Sequence, residues 1–99
     1  MRILALEKDR PGASTSDFLP HRQAEARAVW DLLQAGIIRE IFFRDDRPEA
    51  VMLLEAASAG EAQAALVQLP LVRAGLIEFE VIALRPYPGL SRLFAESVT

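Results

Sequence analysis

The sequence predicts an α+β fold with the element order βαββαβ, and three observations carry that expectation. Two stretches with apolar residues at helical spacing alternate with four short runs rich in β-branched and aromatic residues. Glycine, proline and clustered polar residues punctuate each change of period. The chain has 99 residues, 52% hydrophobic and without cysteine, which suits one domain with a single core.

The first run, residues 2–8, has the apolar density of a short strand. Residues 9–17, with Pro11-Gly12 and several small polar side chains, carry loop chemistry. A helix is expected from Phe18 or Pro20 to Ala35, capped at its start by Asp17 or Ser16 and closed by Gly36. Good helix formers fill its first half, from Arg22 to Ala28. The period then changes. Residues 37–44 read as a strand, with Arg39, Ile41 and Phe43 on one face and Glu40, Phe42 and Arg44 on the other. Asp45-Asp46-Arg47-Pro48 makes a turn into residues 50–55, a strand apolar on both faces and so central in a sheet. Ser58 and Glu61 have the spacing of a capping box and open a second helix to about Gln68, which Pro70 stops. Residues 71–75 connect to a last strand, residues 76–84, with Ile77, Phe79, Val81 and Ala83 sharing one face.

This order, at this length, is the ferredoxin-like plan: a four-stranded antiparallel sheet with both helices on one face. The opposite face must then meet water or a partner. Arg39, Ile41 and Phe43, or Phe42 in the other register, are too apolar for open solvent, as are Leu53 and Leu54 next door. A mean hydropathy of +0.18 is high for so small a soluble chain. A homodimer or larger assembly, joined sheet to sheet, accounts for it. Residues 1–86 form the barrel domain in this reading. Residues 87–99 form a C-terminal tail whose Tyr87, Leu90, Leu93 and Phe94 would pack on a partner subunit or on the chain's own sheet.

Composition removes several classes of function. Without cysteine there is no disulfide framework, thiolate catalysis or Cys-based metal site. His21 is the single histidine, so no multi-histidine metal site forms within one chain. A net charge of −3, with ten arginines and Lys8 scattered among acids, argues against a nucleic-acid partner. No apolar run reaches the roughly 18–20 residues of a membrane span, and the N-terminal apolar stretch falls short of a signal peptide. The expectation is a cytoplasmic protein, and the alanine-rich, lysine-poor composition suggests a bacterial source.

The first helix carries the candidate chemistry. At roughly 100° per residue, Ala26, Val29, Trp30, Leu32 and Leu33 share one arc, while Ala24, Arg27, Asp31 and Gln34 lie opposite. Glu25 projects between Leu32 and Val29, and His21 lies one turn earlier on the same edge. A carboxylate at the margin of an apolar face is partly desolvated, which raises its pKa and suits it to general-base work with the histidine as proton partner. The alternative is a solvated helix edge. Arg39 and Arg44 are candidates for an anion clamp in a substrate pocket, unless they pair across strands with Glu78 or Glu80. Trp30 would line the pocket or anchor the core or an interface. Tyr87 would close the pocket mouth or strap an interface. Asp45 and Asp46 are turn residues.

The run Leu66-Val67-Gln68-Leu69-Pro70-Leu71, followed by Ile77-Glu78-Phe79-Glu80-Val81 and Arg85-Pro86, resembles the C-terminal half of muconolactone isomerase. Gly36-Ile37-Ile38-Arg39 with the later Arg44 is similar as well, and the likeness extends from Glu25 to Pro86. The resemblance implies a dimeric α+β barrel and a cofactor-independent isomerase that moves a proton on a small unsaturated lactone carboxylate. Related barrels include cofactorless monooxygenases, and a barrel that binds ligand without chemistry is a further alternative. The family's Gly-His segment on the hairpin is replaced here by Asp45-Asp46-Arg47-Pro48-Glu49-Ala50. No catalytic residue is carried over from that resemblance, and Glu25, His21, Arg39 and Arg44 stand on placement alone.

Overall fold

The computed structural model describes residues 1–95, and the last part of the expected tail, residues 96–99, lies outside them. Four strands, β1 (Arg2–Asp9), β2 (Ile38–Phe43), β3 (Ala50–Glu55) and β4 (Ile77–Ala83), form one antiparallel sheet in the order β2-β3-β1-β4. The helices are α1 (Thr15–Phe18), α2 (Arg22–Gln34), α3 (Ala59–Leu66), α4 (Pro70–Arg73) and α5 (Arg92–Ala95). A 3-10 turn, Leu19–His21, joins α1 to α2. The ferredoxin-like plan read from the sequence is the observed one.

Both crossovers leave their helices in the same way. Gly36 and Gly75 adopt left-handed φ values of 76° and 74°. Behind them, Ile37 N–H donates to Leu32 O at 3.0 Å and Leu76 N–H donates to Leu71 O at 3.0 Å. Each bond satisfies a helix-end carbonyl and turns the chain directly into an edge strand.

Several local expectations need correcting. The helical stretch starts earlier than Phe18: Ser14 is its N-cap, with Ser14 N–H donating to Asp17 Oδ2 at 2.9 Å, so Asp17 serves as the third residue of a capping box rather than as the cap. Pro70 does not simply end a helix. It opens α4, where its missing N–H costs nothing at the first helical position. In β2 the pairing passes from Ile38–Leu54 to Glu40–Leu53, so a bulge at Arg39 resets the alternation. Ile38, Ile41 and Phe43 therefore share the helix-covered face, with Ile41 opposite Met52, and Phe42 turns to the open face opposite Val51. The pairs of Arg39 or Arg44 with Glu78 or Glu80 do not form within the chain. β2 and β4 are opposite edges of the sheet, separated by two strands and hence by roughly 14 Å. Lys8 takes the Glu80 carboxylate instead, at 3.6 Å.

The core is lopsided. Ile3, Ala5, Leu54, Ala62 and Leu66 are fully buried and Leu69 nearly so, because the small residues of α3 let it settle onto the sheet. No residue of α2 is buried to that degree; Ala28, Val29, Leu32 and Leu33 only lean on the core. Trp30 is 54% exposed, on the outer side of α2 in a shallow groove with Pro20, Gln23 and Arg27, so it does not anchor this chain's core. Deleting side-chain volume from the packed end should be costly: Leu54→Ala is expected to destabilise by about 2–5 kcal/mol, read from urea unfolding.

Candidate functional site

Where α2 stands off the sheet, a cavity of about 520 Å³ opens beneath it. Arg22, Glu25, Ala26 and Val29 form its ceiling, one face of α2 at successive turns. Ile41, Phe43, Ala50, Met52 and Phe79 form an apolar floor, and Glu7 and Asp9 rise into it from β1.

The position of Glu7 and Asp9 follows from a break in the sheet. β1 pairs with β3 only as far as Leu6–Val51, then continues to Asp9 paired with β4 alone. Two amides lose their ladder partners there, and carboxylates replace them. Ala50 N–H donates to Glu7 Oε1 at 3.1 Å, and Asp9 N–H donates to Glu49 Oε2 at 2.9 Å. The period-2 pleat that buries Ile3 and Ala5 also directs Glu7 and Asp9 inward.

Their environments differ. Burial pushes the Glu7 carboxyl up to about 8, and its contact with Asp9 adds to the rise, against the lowering effect of the Ala50 amide. Glu49 is held below its ordinary value, first by the Asp9 amide and then by Arg47 and Arg44. Its Oε1 lies 2.6 Å from Arg47 Nε, so it is ion-paired although the angle is poor for a hydrogen bond. Asp9 Oδ1 is buried without a conventional donor.

Glu25 is half-buried in the ceiling, and its Oε1 accepts from the Leu71 N–H at 2.9 Å. Leu71 is the second residue of α4, so its amide has no intrahelical acceptor and is free for a side chain. Burial raises the Glu25 pKa, while the Leu71 amide and the nearby charge of His21 partly oppose the rise. His21 is thus an electrostatic neighbour of Glu25 at the start of α2, half-buried and outside the cavity lining.

The other residues singled out from the sequence lie elsewhere in this chain. Arg39 donates from Nε to Gly36 O at 2.9 Å on the surface. Arg44 sits at the hairpin tip and holds Asp46 through Nε and Nη2 at 2.8 and 2.6 Å. Trp30 faces outward, and Tyr87 is 71% exposed in the tail. Glu7, Asp9 and Arg22 were not singled out. A signal was present: Glu7 and Asp9 fall on the same alternate positions as Ile3 and Ala5, the inward face of a central strand. Among the described residues no group of His, Asp or Glu side chains is placed to hold a metal ion, and no helix is long and apolar enough to cross a membrane.

The chain is thus a ferredoxin-like α+β protein with an acid-bearing cavity between one helix and the sheet. No family model and no curated protein matches its sequence. Solved structures match its fold. Muconolactone isomerase aligns with a TM-score of 0.72 at 18% identity, over 89% of this chain and 92% of that one. The 5-chloro-2-hydroxyhydroquinone dehydrochlorinase from Burkholderia phenoliruptrix AC1100, solved with 2,5-dihydroxybenzoquinone, aligns with a TM-score of 0.67 at 24% identity, over 88% and 96%. The protein has the muconolactone isomerase-like fold.

The raised Glu7 pKa has a consequence for stability. The native state keeps a proton that the unfolded chain loses near its ordinary carboxyl pKa of 4.5, so the folded state is favoured below that value and the advantage is lost as pH rises towards about 8. Glu7→Gln should flatten that decline, measured as denaturation midpoints across pH 5–8.

Proposed function

We propose that the protein catalyses cofactor-independent proton transfer on a small unsaturated ring compound, with Glu25 as general base. One observation carries this reading: a carboxylate in the wall of a mostly apolar cavity, fixed by a backbone amide and raised in pKa by burial. Such a group takes a proton from carbon more readily than a solvated carboxylate does, and the Leu71 N–H fixes its aim. The neighbouring structures support the class of ligand. One is named an isomerase of muconolactone and the other a dehydrochlorinase of a chlorinated hydroxyhydroquinone. A cavity of about 520 Å³ takes a single ring of that size.

In this reading Glu25 removes a proton from a carbon next to an unsaturated system and returns it elsewhere on the same molecule. His21 biases Glu25 towards its ionised form and relays protons to solvent. Arg22, at the cavity wall, is the cation placed to meet an anionic substituent. Arg39 and Arg44 would serve as clamps only by leaving Gly36 and Asp46, and Trp30 and Tyr87 would reach a ligand only across a subunit boundary.

The same proposal includes self-association. Leu4, Leu6, Phe42, Val51, Leu53 and Ile82 from all four strands share the open face, with Phe42 57% exposed. A second copy is the economical cover, with the tail from Tyr87 laid on the partner.

Glu25→Gln should lower the rate of solvent-deuterium incorporation into a β,γ-unsaturated butenolide by roughly 10²–10⁴-fold while the circular dichroism is unchanged. Undiminished exchange would overturn the base assignment, and butenolide binding by the wild type without exchange would favour a ligand-binding module. For the assembly, Phe42→Glu combined with Leu53→Glu should halve the mass measured by light scattering, and a wild type already monomeric at micromolar concentration would refute sheet-face pairing.

A further inference from the structure

The wall facing Glu25 holds groups that this mechanism does not use. Glu7 and Asp9 project from alternate positions of β1 into the same cavity, and their carboxyls interact. If both were ionised, two like charges would share an apolar wall, and Asp9 Oδ1 would stay buried without a donor. One proton answers both problems: a protonated Glu7 has an O–H to give to the Asp9 carboxyl it contacts, while Glu7 Oε1 still accepts from the Ala50 N–H.

The remaining charged neighbours fix which carboxyl holds the proton. Glu49, beyond Asp9, is compensated by Arg47, Arg44 and the Asp9 amide, so it stays ionised. From α2 the groups facing the cavity are Glu25, anchored to Leu71, and Arg22; from β4 the cavity receives only the Phe79 ring. Lys8 and Glu80 pair on the opposite face of the sheet. No cation among these lies against Glu7, and the direction of its pKa agrees with a carboxyl that is neutral at pH 7.

We propose that Glu7 is a second catalytic residue, an acid whose O–H is held by the Asp9 carboxylate until its proton is given to a carbonyl oxygen of the substrate, while Glu25 takes the carbon-bound proton from the other side. This rests on the proton-transfer reading of the cavity. The steps balance without a co-reactant. The C–H bond breaks, its proton goes to Glu25, and its electron pair moves into the conjugated system. The Glu7 O–H proton passes to the carbonyl oxygen, giving an uncharged dienol. The dienol then returns its O–H proton to Glu7, and the Glu25 proton is delivered to the distal carbon. The substrate class follows: a small ring with an uncharged carbonyl, such as an unsaturated lactone or enone, directs that oxygen at β1. An anionic substituent, where one is present, points to Arg22. Asp9 is a positioning residue that accepts the Glu7 O–H in the absence of substrate.

The test uses the same butenolide exchange assay on the intact protein, together with carboxyl signals in pH-dependent infrared or 13C spectra. The expected result is a protonated carboxyl that titrates near pH 8 in the wild type and is missing from Glu7→Gln. That variant should lose roughly 10²–10⁴-fold in kcat with little change in KM, and with it the alkaline limb of the kcat profile. Asp9→Asn removes a neighbour that raises the Glu7 pKa, so its alkaline limb should move to lower pH. A Glu7→Gln protein with wild-type kcat and the same alkaline limb would overturn the proposal. If Glu25→Gln is inactive in that case, the general base stands without its acid. If the wild type exchanges no deuterium, the proton-transfer reading falls, and the role of Glu7 falls with it.

Discussion

The site depends on two backbone amides that the sheet leaves without ladder partners. Past Leu6–Val51 the strands β1 and β3 part, and the N–H groups of Ala50 and Asp9 must be satisfied in a half-buried wall. An unpaired buried amide costs on the order of 1–3 kcal/mol, so the sequence has to supply acceptors there. Glu7 and Glu49 supply them, each across the gap between the strands. The first of these bonds holds the Glu7 carboxyl in the cavity wall, and the second fixes the backbone of Asp9 beside it. The Asp9–Glu49 bond also ties the hairpin tip to that wall, because Glu49 continues to Arg47 and Arg44, and Arg44 to Asp46. The wall of the site and the tip of the β2–β3 hairpin therefore form one electrostatic unit.

The cavity also requires that two helices on the same sheet face pack differently. α3 presents Ala59, Gly60, Ala62 and Ala65 and comes down until Ala62 and Leu66 are fully buried. α2 carries Glu25 between its apolar residues, and burying that carboxyl fully would cost several kcal/mol more than a half-buried position bonded to an amide. The helix therefore stays raised, held at one end by Leu32 and Leu33 on the core and at the other by the Glu25–Leu71 bond to α4. The sequence difference between two helices becomes the difference between a core and a pocket.

Most of the architecture was legible because each element carries its own local signal. The βαββαβ order, the Gly36 exit, the central β3 strand and the Ser58–Glu61 start of α3 come from period, glycine and capping, which act over a few residues. The misreadings arose where a residue's role is set by distant chain. A bulge at Arg39 moves every later residue of β2 to the other face, and nothing within the strand announces it. Of the alternatives for Trp30, only a place in this chain's own core is excluded, because its apolar arc is wide and the sheet takes only the edge that holds Val29, Leu32 and Leu33. Glu25 was found because it interrupts an apolar face within its own helix. Glu7 was not, because a charged residue at the end of a short strand usually marks the strand's exit into solvent. Only the pairing of β1 on both sides, and its early parting from β3, turns that exit into the wall of a cavity.

That strand also links the two faces of the sheet. Along β1, Leu4, Leu6 and Lys8 alternate with Ile3, Ala5, Glu7 and Asp9. The first set lies on the open face and the second in the core and cavity, so each backbone unit of β1 serves both. β1 is central, bonded to β3 and β4 over most of its length, yet its last residues are held by β4 and side-chain carboxylates alone. This is the most weakly laddered part of the sheet's centre, and it carries the acids. A second copy packed on Leu6, Val51 and Phe42 would press on the back of that segment. Cover on the open face would then fix how far Glu7 stands from Glu25 as well as remove apolar surface from water. A site of two facing carboxyls needs its separation held to a few tenths of an ångström, and one sheet layer with water behind it is a poor wall for that purpose. In the proposed reading, the apolar open face and the acid-lined cavity would answer a single requirement: a thin sheet made rigid on one side by a second copy so that the carboxyls on the other keep their separation.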